Sequence, residues 1–67
     1  MDYVQLGKRV RIRRTVLELT QEGLAEKIGV STSFVGHIER GTRKVSVDTQ
    51  YSLCKVLGVS ADFLIGI

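Results

Sequence analysis

Residues 21–40 read QEGLAEKIGVSTSFVGHIER, which resolves into two short amphipathic helices with a tight turn between them. In the first, Leu24, Ala25 and Ile28 fall at i, i+1 and i+4, one apolar face of a helix. Thr20 stands just before it as an N-cap, and Glu22 adds an acid to its first turn. Gly29 follows the last periodic residue, where a left-handed residue ends a helix without Cβ strain. Val30 is apolar and tucks under the turn, and Ser31 caps the second helix. That helix carries Val35 and Ile38 at i and i+3, with Gly41 just past its end. Ala25 is small, as two steeply crossing helices require of a side chain between them. The sequence predicts a helix-turn-helix over 21–40.

The flanks extend the same helical pattern. Upstream, Leu6, Val10, Arg14 and Leu17 share one stripe, predicting a first helix from Tyr3 to about Leu17. Arg14 is the odd member, since a guanidinium on an apolar stripe needs a partner and an unpaired buried charge is very costly. Projection at ~100° per residue puts Glu39 beside Val35, on the flank of its helix's core face. Downstream, Ser46 caps a fourth helix with Asp48 in its first turn and a stripe of Val47, Tyr51, Cys54 and Leu57. Gly58 ends it, Ser60 caps a short fifth helix, and Phe63 and Leu64 fold back onto the core. Ile12 and Val16 lie off the core stripe and only hint at a contact surface.

The string LTQEGLAEKIGVSTSFVGHIERG, with Ala25, Gly29 and Val35 at the signature spacing, resembles the Cro/C1-type (lambda repressor-like, XRE-type) helix-turn-helix family. The likeness runs from about Leu6 to Leu64 and includes Arg14, Ile38-Glu39-Arg40-Gly41 and Leu57-Gly58-Val59-Ser60. It implies an all-α, five-helix lambda repressor-like domain over 1–67. It also implies an ion pair between Arg14 and Glu39. Thr32, Ser33 and His37 match the family's base-contacting positions. Gln21, Arg40 and the loop residues Thr42, Arg43 and Lys44 match places where the family meets the sugar-phosphate backbone. The chain departs from the pattern at Glu18, where a glycine often ends the first helix, so either the connection is slightly strained or the helix stops differently. It departs again at Val45, where proline is common. Cys54 takes a position that is usually small and buried, and is read as core rather than as a redox sensor.

Projection of the helix from Thr32 to Arg40 supports the face so implied. With Val35 and Ile38 inward, Ser33, Gly36, His37 and Arg40 point outward and Thr32 lies at the edge. Ser and Thr hydroxyls donate or accept, and a neutral imidazole offers one of each. Gly36 costs roughly 1 kcal/mol of helix stability relative to Ala. It is either a point of close approach to DNA or a merely tolerated glycine. Phe34, at the margin, is expected to pack on the protein's own flank rather than to touch a thymine methyl.

Composition bounds the function. The chain has 67 residues, 43% of them hydrophobic, with no proline and no Gly/Ser-rich run, so one domain is expected. No apolar run approaches the roughly 20 residues of a membrane span, and no signal-peptide pattern opens the chain. The single Cys54 excludes an internal disulfide, and a reduced, cytoplasmic setting is expected. One His and one Cys on different helices make no nucleophile–base arrangement, and no Cys/His set ligates zinc. Neither an enzyme nor a cofactor is expected. The net charge of +3 is modest, but its distribution is not uniform. Lys8, Arg9, Arg11, Arg13 and Arg14 form one cluster; Arg40, Arg43 and Lys44 form a second, directly after the outward-facing helix.

The expected function is therefore sequence-specific binding of double-stranded DNA by a transcriptional regulator, a repressor, at a palindromic operator. The alternative is an interaction module, antitoxin-like or oligomerising, that keeps the fold without specific DNA binding. A homodimer through Phe63, Leu64, Ile65 and Ile67 is also expected, because seven terminal residues carry more apolar surface than one short helix buries.

Overall fold

The computed structural model describes residues 1–66, and Ile67 lies outside the described residues. Within them the chain forms five helices and no strand: α1 Tyr3–Val16, α2 Gln21–Ile28, α3 Thr32–Arg40, α4 Val47–Leu57 and α5 Ala61–Ile65. The all-α expectation is met. Every helix begins on a side-chain oxygen that accepts a first-turn N–H: Asp2, Thr20, Ser31, Ser46 and Ser60 in chain order. Such a cap contributes about 1 kcal/mol. The last four helices end on glycine. The first has none, and Glu18 takes the left-handed position instead, at φ 58°. The turn closes there, with the Leu19 N–H donating to the Arg14 carbonyl at 3.0 Å.

Leu6, Val10, Leu24, Ala25, Val35, Ile38, Val45, Leu53, Leu57 and Leu64 form the buried core. Where α1 crosses α3, the two backbones meet at Gly7. A Cβ on Gly7 would stand 2.2 Å from the Ile38 carbonyl oxygen and 2.7 Å from that of Glu39. A mid-helix glycine costs about 1 kcal/mol; here its missing side chain lets α1 seat directly on α3. The far end of α3 is fixed in a similar way. Gly41 has φ +73°, and a Cβ there would meet the Val4 Cα at 2.7 Å. The orientation of α3 is thus set by backbone contact with α1.

Two expected stripes differ in the structure. Leu17 is 40% exposed, because α1 stops at Val16 and the chain turns away. On α4, Val47 and Tyr51 are 80% and 66% exposed, and the inward residues are Leu53 and Leu57. The helix offers two apolar stripes that share Leu57, and its neighbours α1, α2 and α5 bury the one containing Leu53. Cys54 is left half-buried at the margin. Leu64 is fully buried and closes the core from α5, so it is removed from the set available to a partner.

Three cations of the first basic cluster face the fold. Arg13 Nε donates to the Leu57 carbonyl at 3.0 Å, at the C-terminal end of α4 where a cation is favourable. The Arg9 guanidinium lies over Gly66, and Arg14 turns inward. Among the described residues, no helix is long and apolar enough to cross a membrane.

Candidate nucleic-acid interface

The outward face of α3 begins at its cap, where Ser31 Oγ accepts the Phe34 N–H at 3.0 Å. Val35 and Ile38 point into the core, and Phe34 packs half-buried against its edge. Thr32, Ser33 and Arg40 are exposed, and His37 is half-buried. Gly36 is not open to a partner. The Arg40 side chain, one turn on, folds back across it, and its Nη1 lies 3.0 Å from where a Gly36 Cβ would stand. Gly36 is a seat for Arg40 rather than an open point of backbone approach.

Behind this face lies a polar cluster that joins three helices. Arg14 Nε donates to Glu39 Oε2 at 2.6 Å and Nη2 to Oε1 at 3.1 Å, a two-pronged pair. Arg14 Nη1 donates to the Leu19 carbonyl at 2.8 Å, and Gln21 Nε2 donates to Glu39 Oε1 at 3.1 Å. The Arg14 and Glu39 side chains are 14% and 4% exposed. The end of α1, the first turn of α2 and the last turn of α3 are therefore tied at one point. Gln21, assigned to the phosphate backbone from the resemblance, is half-buried and has one amide N–H committed to Glu39. Its second N–H remains to reach outward.

The segment after α3 is held at both ends. Gly41 rests on Val4, Val45 is 3% exposed, and Gln50 Nε2 donates to the Val45 carbonyl at 2.9 Å. Burial and this bond do what the family's proline does by ring closure. Between the anchors Thr42, Arg43 and Lys44 are exposed. The Thr42 N–H donates to the His37 carbonyl at 3.0 Å, and its hydroxyl sits 2.8 Å from His37 Nδ1. Arg40, Arg43 and Lys44 thus stand beside the outward helix with Glu39, the nearest acid in sequence, already paired to Arg14.

Other chemistry finds little support in these residues. Burial pushes the Cys54 thiol pKa up from its ordinary value, which disfavours the thiolate a redox sensor needs. Among the described residues, no three His, Cys, Asp or Glu side chains gather closely enough to hold a metal.

A capped pair of helices that buries Ala25, with an outward polar face on the second helix and a cationic loop after it, can be compared with known proteins. The family model described as helix-turn-helix matches residues 10–64. The chain belongs to the helix-turn-helix family. Its resemblance to the Cro/C1 type is borne out by its relatives. It is 45% identical over 58 residues to an uncharacterized transcriptional regulator in the ATPase CF(0) region of Rhodospirillum rubrum. That match covers 87% of this chain and 54% of the relative, so the chain spans about half of that protein's length. The restriction-modification controller protein C.AhdI from Aeromonas hydrophila superposes with a TM-score of 0.87 at 40% identity, covering 94% of this chain and 96% of that one. The P22 c2 repressor, solved in complex with a synthetic operator, superposes with a TM-score of 0.84 at 32% identity over 88% and 89% of the two chains.

Within this helix-turn-helix chain, the sequence reading missed Gly7 and Arg13. A glycine inside an apolar helical stripe is itself a signal of close backbone approach. Nothing local marks Arg13, whose acceptor is 44 residues away.

Proposed function

We propose that this chain is a sequence-specific, double-stranded DNA-binding transcriptional regulator, a repressor, that reads the major groove with α3. One observation carries the proposal most: an α3 clamped from behind by Arg14–Glu39 and Gly7, with short polar groups outward and a cationic loop at its end. In this reading Thr32, Ser33 and His37 meet base edges, and Arg40, Arg43 and Lys44 meet the sugar-phosphate backbone. Gln21 adds a backbone contact through its free amide N–H. The likeness to the P22 c2 repressor, seen on a synthetic operator, supports DNA as the partner and repression as the outcome. Selection of bound sites from a random duplex pool tests this. A shared motif is expected, and a pool that stays random after repeated selection contradicts the reading.

The working form in this proposal is a two-fold dimer on a palindromic operator. Leu64 does not take part. Phe63, 41% exposed, and half-buried Ile65 remain from the set named in the sequence, with Ile67 outside the described residues. Beside them a groove of about 320 Å³ between α4 and α5 is lined by Val47, Gln50, Tyr51, Cys54 and Ala61. A second copy is the occupant this face suits. On a palindromic operator the two recognition helices of such a dimer stand about 34 Å apart, one turn of B-DNA. Sedimentation is expected to give a dimer on a full operator, and Tyr51→Glu should return a monomer that still folds. A monomer both free at high concentration and bound to a single half-site rejects the dimer.

A further inference from the structure

Thr42 sits just past α3 and touches the only histidine in the chain twice. Its Oγ1 lies 2.8 Å from His37 Nδ1 and 3.3 Å from the His37 carbonyl oxygen. A hydroxyl has one proton to give and two lone pairs to receive with. If that proton goes to Nδ1, the Oγ1–carbonyl approach is left as oxygen facing oxygen with no hydrogen between them. If it goes to the carbonyl, both contacts are hydrogen bonds, because Nδ1–H then donates into the hydroxyl. The Thr42 N–H, bonded to the same carbonyl at 3.0 Å, keeps the hydroxyl in place. The second arrangement makes one more hydrogen bond, to a carbonyl that the Gly41 and Thr42 N–H groups also reach. It also settles the other end of the ring, since the bond made by one imidazole nitrogen decides which nitrogen carries the proton.

We propose that Thr42 is a positioning residue for base choice: it holds neutral His37 as the Nδ1–H tautomer, so that Nε2 faces the groove as a bare acceptor and selects an exocyclic amine. This rests on the reading of His37 as a base-contacting residue. In the major groove the amines are N6 of adenine and N4 of cytosine, whereas guanine and thymine offer O6, N7 and O4 acceptors on their own edges. An acceptor nitrogen pairs with the first group and is repelled by the second. His37 therefore favours adenine or cytosine over guanine or thymine on the strand it faces. Thr42 acts on the base sequence without touching a base. This differs from the phosphate contact that the resemblance assigns to Thr42, for a phosphate contact carries no sequence preference.

Two measurements test the proposal. The first needs no DNA: long-range ¹H–¹⁵N correlation of the imidazole in the free protein, with the ring neutral. Wild type and Thr42→Ser are expected to show a protonated Nδ1 and a bare Nε2, and Thr42→Val to lose that signature. A protonated Nε2 in the wild type overturns the proposal. The second is site selection with wild type, His37→Ala, Thr42→Ser and Thr42→Val. The position whose preference disappears in His37→Ala should be adenine or cytosine in the wild type and in Thr42→Ser. In Thr42→Val that preference should fall by about ten-fold or more while the rest of the motif stays. Guanine or thymine at that position overturns the proposal and leaves DNA reading by His37 intact. A motif that His37→Ala leaves unchanged removes the reading beneath it, and the proposal with it. Uniform weakening of every duplex by Thr42→Val, with base choice retained, returns Thr42 to the phosphate backbone and overturns the proposal.

Discussion

Arg14 joins three segments through one guanidinium: its own helix, the Leu19 turn and Glu39 on α3. Arg14→Met would leave the Glu39 carboxylate, 4% exposed, with Gln21 as its remaining partner. Breaking a buried pair costs about 3–5 kcal/mol, so the urea midpoint should fall by that equivalent. A loss below about 1 kcal/mol, typical of an exposed pair, would contradict burial. That Arg14 needs a partner is readable from a charge on an apolar stripe. The Leu19 and Gln21 contacts are not, because they depend on how a turn closes. At Glu18 the sequence did carry the signal. A non-glycine residue at φ 58° is strained by about 1–2 kcal/mol, and glycine returns part of that as chain entropy. Glu18→Gly is therefore expected to stabilise by about 0.5–1 kcal/mol in the same assay, and a destabilised variant would mean that the glutamate has a role beyond ending α1.

Element boundaries were legible where a hydroxyl cap opens a helix and a glycine closes it, as in α2, α3 and α4. The facing of α4 was not. Its sequence carries two competing apolar stripes, and the choice between them is made by α1, α2 and α5, distant in the chain. Helix–helix approach follows the same division. The burial of Ala25 on α2 is readable from the signature spacing, whereas Gly7 matters only because α1 lands on α3. Gly7→Ala should gain helix propensity yet lose about 1–3 kcal/mol overall, since its Cβ would stand 2.2 Å from a backbone carbonyl that cannot swing aside. Thermal melting checks this. A neutral or stabilised Gly7→Ala would mean that α1 and α3 separate without cost, and the account of how α3 is oriented would fail.

For the whole molecule, the charges sort by whether they face the fold or the solvent beside α3. Arg9, Arg13 and Arg14 serve the fold, while Arg40, Arg43 and Lys44 stand beside the outward face, a division that net charge does not reveal. The central claim is that the loop positions DNA and α3 reads it. The most direct measurement is a pair of titrations, on the selected site and on random duplex, at two salt concentrations, for wild type, Lys44→Ala and Ser33→Ala. Lys44→Ala is expected to weaken both duplexes by a similar factor and to lower the salt slope by about 0.9. Ser33→Ala is expected to cost about 1–3 kcal/mol on the selected site and little on random DNA. Equal weakening of both duplexes by Ser33→Ala, or a changed preferred sequence with Lys44→Ala, would contradict the division between positioning and reading.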